Sequence, residues 1–355
     1  MTDTLTDRGS PAMEAISLTK NFRLGPGQLI HAVRDVSFGL YSGAVVALVG
    51  ESGSGKSTVA KLLAGQERPT SGAIRLGDQP VDLSSRKAFR QHKSNVQMVF
   101  QDPFASLNPV HTVRYHLSRP VRLHQGKRSA ADISAEVNAL LGQVRLTPAE
   151  QFAGKYPHEL SGGQRQRVSF ARALAAQPTV LLADEPVSML DVSIRLEMLS
   201  LLDDLRKRLR LALLYITHDI ASARYFADEV LVMYGGQIVE RGPAEELTQQ
   251  PAHPYTQLLV ASAPDPDNLG STLRTGAVRA GRPVGSADVA SQGCPFSPRC
   301  PLADDRCRAE NPPLQPVDPV LASTAVPAST TRSAACWHLP EAAAMREAAA
   351  RAAMQ

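Results

Sequence analysis

A glycine-rich segment of the chain has the composition of a phosphate-binding loop. Its sequence, GESGSGKST (50–58), follows the apolar run AVVALV (44–49) and opens the helix-like stretch TVAKLLAG. Glycines let backbone N–H groups converge on phosphate oxygens, and the positive end of a helix dipole, about half a charge, favours an anion. Lys56 can reach terminal phosphates, and Ser57 can offer a hydroxyl to Mg²⁺. The predicted phosphate-binding residues are Gly50, Glu51, Ser52, Gly53, Ser54, Gly55, Lys56, Ser57 and Thr58.

Two acidic residues end a later apolar run, VLLADEP (180–186). In phosphate-loop enzymes an acidic residue at this place holds Mg²⁺, which fits Asp184. The adjacent Glu185 can serve as the general base for an attacking water. Taken alone, the pair would more readily be exposed charges or a helix cap, so it is the combination with the phosphate loop that favours catalysis.

A histidine follows a further apolar run, in the segment ITHD (216–219). A lone histidine is usually structural. In a parallel sheet, however, ligands gather outside the carboxyl ends of the strands, where Ser57, Asp184 and His218 would all lie. This position predicts a contact between His218 and the γ-phosphate.

The segment LSGGQRQR (160–167) is a second candidate anion site, and it lacks a lysine. Ser161 and Gln164 have the spacing of a capping box, and a helix pattern follows as far as Pro178. One interpretation is a well-capped helix and nothing more. Gly162 and Gly163 would weaken its first turn unless a close backbone approach is useful, which favours an exposed helix start that binds an anion.

The order of apolar runs indicates the elements that must position these residues. The β-branched runs at 44–49, 179–183, 212–217 and 229–233 alternate with helix-patterned stretches, as expected of an α/β domain with a largely parallel central sheet. We expect a flexible leader at 1–12, a nucleotide-binding domain at 13–247, and a helical insertion at about 104–174. A Pro/Cys-rich C-terminal segment (248–340) and an Ala-rich tail (341–355) complete the predicted organisation.

Composition excludes several classes of partner. A chain of 355 residues with 43% hydrophobic content can bury a sizeable core. The formal charge of +4 is small and its basic residues are interleaved with acidic ones, so no nucleic-acid partner is predicted. The N-terminal residues lack the pattern of a signal peptide, and the apolar runs are far shorter than the roughly 20 residues that cross a bilayer. We expect a cytoplasmic protein that reaches the membrane through other subunits.

The ordered motifs GESGSGKST, VFQDP, LSGGQ, LLADEP, SMLD and ITHD resemble the ATP-binding subunit of an ABC transporter over about residues 13–247. The resemblance implies that two such domains pack head to tail, so that LSGGQ of one closes over ATP held by the other. It implies that Phe22 stacks on adenine, and that Asp191 lies in the loop joining the two sites. Met189 departs from the usual alanine. The implied catalytic residues are Glu185, His218 and Gln101, the implied Mg²⁺ ligands are Ser57, Gln101 and Asp184, and the implied contacts across the dimer are Ser161, Gly162, Gly163 and Gln164.

The C-terminal segment resembles that of oligopeptide and dipeptide importer ATPases, through HPYTQLL (253–259), GCPFSPRCPLADDRC (293–307) and a later CW. The cysteines are Cys294, Cys300, Cys307 and Cys336. In a cytoplasmic protein they rarely form structural disulfides, and structural zinc usually has a closer cysteine pair. Some members of this importer group carry a [4Fe–4S] cluster, which we expect here, with zinc and free or crosslinked thiols as the alternatives.

The resemblance implies an ATP-hydrolysing subunit that energises a binding-protein-dependent importer of oligopeptides or dipeptides. It would work with a second nucleotide-binding domain, identical or related, with two transmembrane permease subunits and with an extracellular solute-binding protein, at the cytoplasmic face of the cell membrane. Oligosaccharide and nickel importers use similar ATPases and are alternatives. A soluble ABC ATPase of DNA repair or translation is a further alternative, but such proteins usually have coiled-coil insertions or two fused cassettes, which this sequence lacks.

Overall fold

The computed structural model describes residues 9–25, 28–102, 106–126, 129–262, 289–290, 292–318 and 332–353. Numbered along this part of the chain, the strands are β1 Met13–Gly25, β2 Gln28–Leu40, β3 Val45–Val49, β4 Ser71–Leu76, β5 Gln79–Pro80, β6 Val96–Val99, β7 Val180–Asp184, β8 Ala212–Thr217, β9 Glu229–Tyr234, β10 Gln237–Pro243, β11 Gln315–Pro316 and β12 Ser333–Ala334. The helices are α1 Lys56–Leu63, α2 Arg86–Asn95, α3 Val113–His124, α4 Ala130–Gln143, α5 Ala149–Gly154, α6 Gly162–Leu174, α7 Val192–Leu209, α8 Ile220–Phe226, α9 Ala244–Gln249, α10 Pro254–Ser262, α11 Asp305–Ala309 and α12 Leu339–Ala353.

An eight-stranded sheet forms the centre of the molecule, in the order β11-β12-β10-β9-β3-β8-β7-β6. The strands from β9 to β6 in this order pair in parallel. The strands β3, β7, β8 and β9 are buried along their whole length, which explains why they are continuous apolar runs and do not alternate with polar residues. The predicted α/β class with a parallel central sheet is confirmed.

A second, antiparallel sheet covers one face of the central sheet, in the order β2-β1-β4-β5. Leu18 and Val33 from this sheet share one hydrophobic cluster with Val46 and Leu48 of β3 and with Leu62 of α1. This sheet is not among the elements predicted from the sequence, although its strand β1 begins at Met13, where the nucleotide-binding domain is expected to start. The sheet matters for the site because it packs against the strand and the helix that flank the phosphate loop.

The region between β6 and β7 is helical, and the described residues of 106–174 include no strand. Its helices begin at side-chain caps, because Thr112 accepts from Tyr115 N and Ser129 accepts from Asp132 N. They bury Leu117, Val137 and Leu141 against each other. This bundle carries the start of α6 and therefore places the LSGGQ segment.

The C-terminal segment packs onto the central domain. Its strand β12 pairs with β10 and extends the central sheet at one edge. Tyr255, Phe296 and Cys307 belong to the same hydrophobic cluster as Val49 of β3. The domain division at 247/248 stays a prediction. Among the described residues, no helix combines the length and the apolar character that a membrane span needs.

Candidate nucleotide-binding site

The phosphate loop (residues 50–57) connects β3 to α1, as the sequence predicts. The helix begins at Lys56, and Gly55 precedes it with φ of 109° in the left-handed region. A Cβ at Gly55 would lie 2.2 Å from the backbone oxygen of Ala32, so both the conformation and the packing against β2 require glycine. The loop is therefore held close to the covering sheet.

Lys56 lies at the centre of the loop and is buried. Its Nζ donates to the backbone oxygens of Gly50, at 2.7 Å, and of Glu51, at 2.9 Å. Burial lowers the pKa of Lys56, whereas the negative charges of Glu185, Asp184 and Glu51 raise it. The ammonium thus lies within the field of three carboxylates at the position where a terminal phosphate is expected.

Ser57 and Asp184, two of the three predicted magnesium ligands, lie side by side, whereas the third, Gln101, contacts Glu185. The Ser57 hydroxyl donates to Asp184 Oδ1 at 3.2 Å, although the two residues are 127 positions apart in the chain. Burial raises the pKa of Asp184, and the hydrogen bond from Ser57 opposes this effect. A hydroxyl and a carboxylate side by side are oxygen ligands of the kind that Mg²⁺ takes beside water and substrate phosphates.

Glu185 is the meeting point of the predicted catalytic residues. Its Oε2 accepts a hydrogen bond from Gln101 Nε2 at 3.1 Å and lies 3.3 Å from His218 Nδ1. The hydrogen bond from His218 lowers the pKa of Glu185, and the same bond raises the pKa of His218. A carboxyl that stays ionised in this way is able to accept a proton.

The backbone of Glu185 is strained in a way that aims this carboxylate. Its φ is 47°, in the left-handed region that few residues other than glycine adopt. The strain is held by a hydrogen bond in which Glu185 N donates to Ile216 O of β8, at 2.9 Å. Such outliers persist only where the surrounding structure fixes them, and they are frequent at active sites.

The parallel sheet explains why these residues converge. The phosphate loop follows β3, Gln101 follows β6, and His218 follows β8. Asp184 is the last residue of β7, and Glu185 comes directly after it. Parallel strands end at the same edge, which brings together residues from four distant stretches of sequence. The structure places Ser57, Asp184 and His218 at this edge of the sheet, with Ser57 bonded to Asp184 and His218 beside Glu185. Their contacts with a nucleotide stay predictions.

The signature segment LSGGQ (160–164) forms the predicted capping box. Ser161 Oγ accepts from Gln164 N at 3.3 Å, and Gln164 Oε1 accepts from Ser161 N at 3.0 Å. A Cβ at Gly163 would lie 2.9 Å from Ile194 Cγ2 of α7. The close packing of α6 against α7 therefore requires a glycine at Gly163. This packing role is not predicted from the sequence.

Comparisons with known proteins decide the family. Residues 33–188 match the family model described as ABC transporter, and residues 239–307 match the one described as oligopeptide/dipeptide transporter, C-terminal region. The chain is 41% identical over 313 residues to the di/tripeptide transport ATP-binding protein DppF of Pseudomonas aeruginosa, covering 86% of this chain and 94% of that protein. It is also 41% identical over 291 residues to the oligopeptide transport ATP-binding protein AppF of Bacillus subtilis, covering 82% and 87%. The chain belongs to the ABC transporter family of ATP-binding proteins.

A solved structure supports the same conclusion. A dimeric ATP-binding cassette in a post-hydrolysis state, bound to ADP and Pi, matches with a TM-score of 0.59 and 28% identity, over 66% of this chain and 99% of that one. The family resemblance, the cassette fold and ATP hydrolysis, all expected from the sequence, are confirmed. The roles of the individual residues stay predictions.

Three further predicted residues of this ABC cassette lie at or near its surface. Phe22 on β1 is half-buried, and Lys20 Nζ lies 4.8 Å from the centre of its ring. Asp191 is exposed and immediately precedes α7, but its side chain does not cap the helix. Met189 is 59% exposed, so most of the methionine that stands in place of the usual alanine faces away from this chain.

The four cysteines of the cassette are free thiols in one region. Cys294, Cys307 and Cys336 are buried, and Cys300 is half-buried. Burial raises the pKa of Cys336 to about 12 and that of Cys294 to about 11, and the charges of the neighbouring thiols act in the same direction. Ionising all four would therefore require a cation or a metal cluster to neutralise them.

A different donor group lies beside these thiols. Among the described residues, Asp304, Cys307 and His338 have potential ligand atoms within 4.8 Å of one another. Asp304 also caps α11 by accepting from Cys307 N at 2.8 Å. Neither Asp304, in the stretch CPLADDRC, nor His338, directly after CW, is among the ligands predicted from the sequence.

The C-terminal segment makes two contacts with the phosphate loop that are not predicted from the sequence. Arg299 Nη1 lies 2.8 Å from Glu51 Oε2, and Glu51 N donates to the hydroxyl of Tyr255 at 2.8 Å. Tyr255 lies in HPYTQLL, and Arg299 lies in GCPFSPRCPLADDRC, the two segments that carry the C-terminal resemblance. Neither segment indicates a contact with a loop that lies 204 and 248 positions earlier in the chain.

Proposed function

We propose that this cassette hydrolyses ATP to energise a peptide importer, and that ATP binding and hydrolysis drive its membrane partners between two conformations. The main support is that Gln101 and His218 both contact Glu185. The bonded pair Ser57 and Asp184 lies directly beside them. The peptide class is supported by the match of residues 239–307 to the C-terminal region of oligopeptide/dipeptide transporters. The printed names of DppF and AppF, which are transport proteins for peptides, agree with it.

The residues of the phosphate loop bind the nucleotide in this proposal. Lys56 exchanges its bonds to the loop carbonyls for bonds to the terminal phosphates, which have greater negative charge. Ser57 and Asp184 hold the magnesium ion that accompanies ATP, and this ion neutralises phosphate charge. Phe22 stacks on the adenine ring.

Glu185 and its two partners carry out the hydrolytic step. The carboxylate orients the attacking water and takes its proton as the water oxygen bonds to the γ-phosphorus. The bond from that phosphorus to the bridging oxygen breaks, and ADP leaves. His218 and Gln101 hold the carboxylate in place, and both can donate to oxygens of the γ-phosphate. Gln101 is exposed at the end of β6, so a membrane partner can influence it directly.

The signature segment acts on the nucleotide of a second cassette. Its serine and the helix start of α6 form an anion site, but Ser161 and Gln164 bond to each other and not to Lys56. The missing lysine is therefore supplied by another polypeptide, with Asp191 joining the two sites. The dimeric state of the similar solved cassette supports this arrangement.

The membrane partners belong to the same proposal. The cassette attaches to two permease subunits at the cytoplasmic face of the membrane, and an extracellular binding protein delivers the peptide. Purification of the tagged chain from membranes in mild detergent tests this assembly. We expect two permease subunits and a second cassette to copurify, with a peptide-binding protein in the same gene cluster. Binding proteins for oligosaccharides or nickel would contradict the peptide assignment, and soluble DNA-repair or translation factors would contradict the importer.

The C-terminal thiols fit an iron–sulfur cluster in this proposal. Cys294, Cys300, Cys307 and Cys336 can supply thiolates, the ligands that [4Fe–4S] clusters take, and three of them are buried while Cys300 is half-buried. A bound cluster would supply positive charge to four thiols whose burial otherwise opposes ionisation. The close group of Asp304, Cys307 and His338 favours zinc as the second candidate.

Metal analysis separates the two candidates. The full chain is purified without oxygen and analysed for iron, acid-labile sulfide and zinc, with the visible absorption spectrum as an independent readout. We expect about four irons and four sulfides per chain, as the cluster's formula requires. A Cys300→Ser variant loses the cluster but keeps zinc if the ligands are Asp304, Cys307 and His338. Zinc alone, or no metal, contradicts the cluster.

A further inference from the structure

Glu51, the second residue of the phosphate loop, is held by the C-terminal segment through its side chain. Arg299 donates to both carboxylate oxygens, from Nη1 to Oε2 at 2.8 Å and from Nη2 to Oε1 at 3.1 Å. The two residues are 248 positions apart, and their side chains are only 14% and 8% exposed. A two-point arginine–carboxylate pair of this kind fixes orientation as well as charge.

The backbone of Glu51 is held from the same side. Its N–H donates to the hydroxyl of Tyr255, at 2.8 Å, and Tyr255 is fully buried at the start of α10. The backbone oxygen of Glu51 accepts from Lys56 Nζ within the loop. One residue of the phosphate loop is therefore fixed at its N–H, its carbonyl and its carboxylate, and two of these three contacts come from the C-terminal segment.

Aromatic rings keep the two anchors in place. The guanidinium of Arg299 lies 5.8 Å from the ring centres of Tyr234 and Phe296. The ring of Tyr255 packs against Tyr234 at 4.6 Å and against Phe296 at 5.4 Å. These three rings belong to the main hydrophobic cluster, so both anchors pack against the close-packed core.

An unpaired carboxylate at Glu51 would weaken ATP binding for two reasons. It would place an additional negative charge beside the triphosphate, in a poorly hydrated loop where repulsion is strong. It would also leave the start of the loop free to move, so that nucleotide binding would have to order it. Arg299 removes both effects.

We propose that Arg299 and Tyr255 are positioning residues for ATP binding, through which the C-terminal segment sets the conformation and the charge of the phosphate loop. The proposal deepens the proposed ATP-binding function and rests on it. Arg299 belongs to the turns between Cys294 and Cys300, since its N–H donates to Phe296 O at 3.0 Å and Cys294 N donates to Cys307 O. The segment that carries the thiols therefore also carries the contact with the ATP site.

Nucleotide titration of the full chain tests the proposal, with a fluorescent ATP analogue and Mg²⁺. Arg299→Ala should raise the Kd for ATP about tenfold or more, about 1.4 kcal/mol. Arg299→Lys should recover part of the loss, because it restores the charge without the two-point geometry. Tyr255→Phe should raise the Kd less, since the loop keeps its charge partner.

A matched control and a second substitution make the test specific. Arg224→Ala removes an equivalent two-point pair with Glu245 on the exposed surface, and it should leave the Kd unchanged. If Arg299 acts through Glu51, adding Glu51→Gln to Arg299→Ala should restore much of the affinity. In the assembled transporter, KM for ATP should rise in Arg299→Ala while kcat at saturating ATP changes little.

Several results would overturn the proposal. One is a wild-type Kd in Arg299→Ala, and another is a loss that Glu51→Gln does not relieve. If Arg299→Ala does not fold, the test rests on Arg299→Lys and Tyr255→Phe. Wild-type Kd values in both of these variants would then refute the proposal. If the wild-type chain does not bind ATP at all, the proposed function fails before this inference is reached, so the two failures are distinguishable.

Discussion

Replacing Glu185 with glutamine tests the catalytic geometry in isolation. Glutamine keeps the size of the side chain and its oxygen can still accept from Gln101 or His218, but it cannot take a proton at neutral pH. The neighbouring pair Ser57 and Asp184 is unchanged. The substitution therefore separates positioning, which survives, from proton transfer, which is lost.

The structure allows the size of this effect to be worked out. A positioned general base contributes about 10²–10⁴ in rate, which is about 2.7–5.5 kcal/mol of barrier. ATP affinity should not fall, because Glu185 is one of three carboxylates close to Lys56 and its charge opposes that of the triphosphate. We therefore expect hydrolysis slowed at least a hundredfold, with ATP binding retained and the closed dimer accumulating.

Three measurements on the assembled complex and on the purified cassette check this expectation. Phosphate release gives the rate, a fluorescent ATP analogue gives the affinity, and light scattering of the purified cassette gives the dimer fraction. Glu245→Gln, at an exposed ion pair with Arg224, serves as the control and should behave as the wild type. Hydrolysis by Glu185→Gln within a few-fold of the wild-type rate would refute the assignment of the base.

Three other predictions concern the dimer, pH dependence and stability. Ser161→Arg should leave ATP binding by the isolated chain unchanged but abolish hydrolysis by the assembled complex, and hydrolysis at the wild-type rate would refute a role in trans. Glu185 raises the pKa of His218, and His218 lowers the pKa of Glu185. The interaction between the two therefore stabilises the fold fully between pH 4.5 and pH 6.5, the ordinary pKa values of the two groups. This contribution is lost as pH falls through the lowered pKa of Glu185 or rises through the raised pKa of His218. Melting temperatures measured against pH should show the alkaline loss in the wild type and not in Glu185→Gln. Arg241→Ala should lower the free energy of unfolding by about 3–5 kcal/mol in urea titrations, because the buried side chain of Glu229, only 3% exposed, loses its ion pair with Arg241. Equal destabilisation by the double variant with Glu229→Gln would show that the buried charge is not the cause.

Functional residues that belong to one contiguous motif, or that follow a recognisable strand, could be predicted from the sequence. The phosphate loop is local, so its glycines, Lys56 and Ser57 are recognisable without a fold. Asp184 and His218 follow apolar strands, and the rule that ligands gather at the carboxyl ends of a parallel sheet then places them together. Gln101 carries no such chemical pattern, and only the family resemblance pointed to it.

Contacts between distant segments could not be predicted in this way. The sheet of β1, β2, β4 and β5 depends on antiparallel pairing with several register shifts, which local patterns do not encode. Gly163 faces Ile194 across two helices, and Arg299 meets Glu51 across 248 residues. Each of these contacts depends on the packing of whole elements, so the sequence shows the residue types but not their partners.

Peptide-dependent ATP hydrolysis by the reconstituted transporter tests the central claim most directly. The cassette is assembled with its copurifying permease and second cassette in lipid vesicles, and phosphate release is measured with the binding protein and a mixture of short peptides. We predict that peptide raises the rate of hydrolysis, that the peptide enters the vesicle lumen, and that Glu185→Gln abolishes both. Hydrolysis that stays the same with and without peptide and rises with an oligosaccharide or nickel would contradict the account.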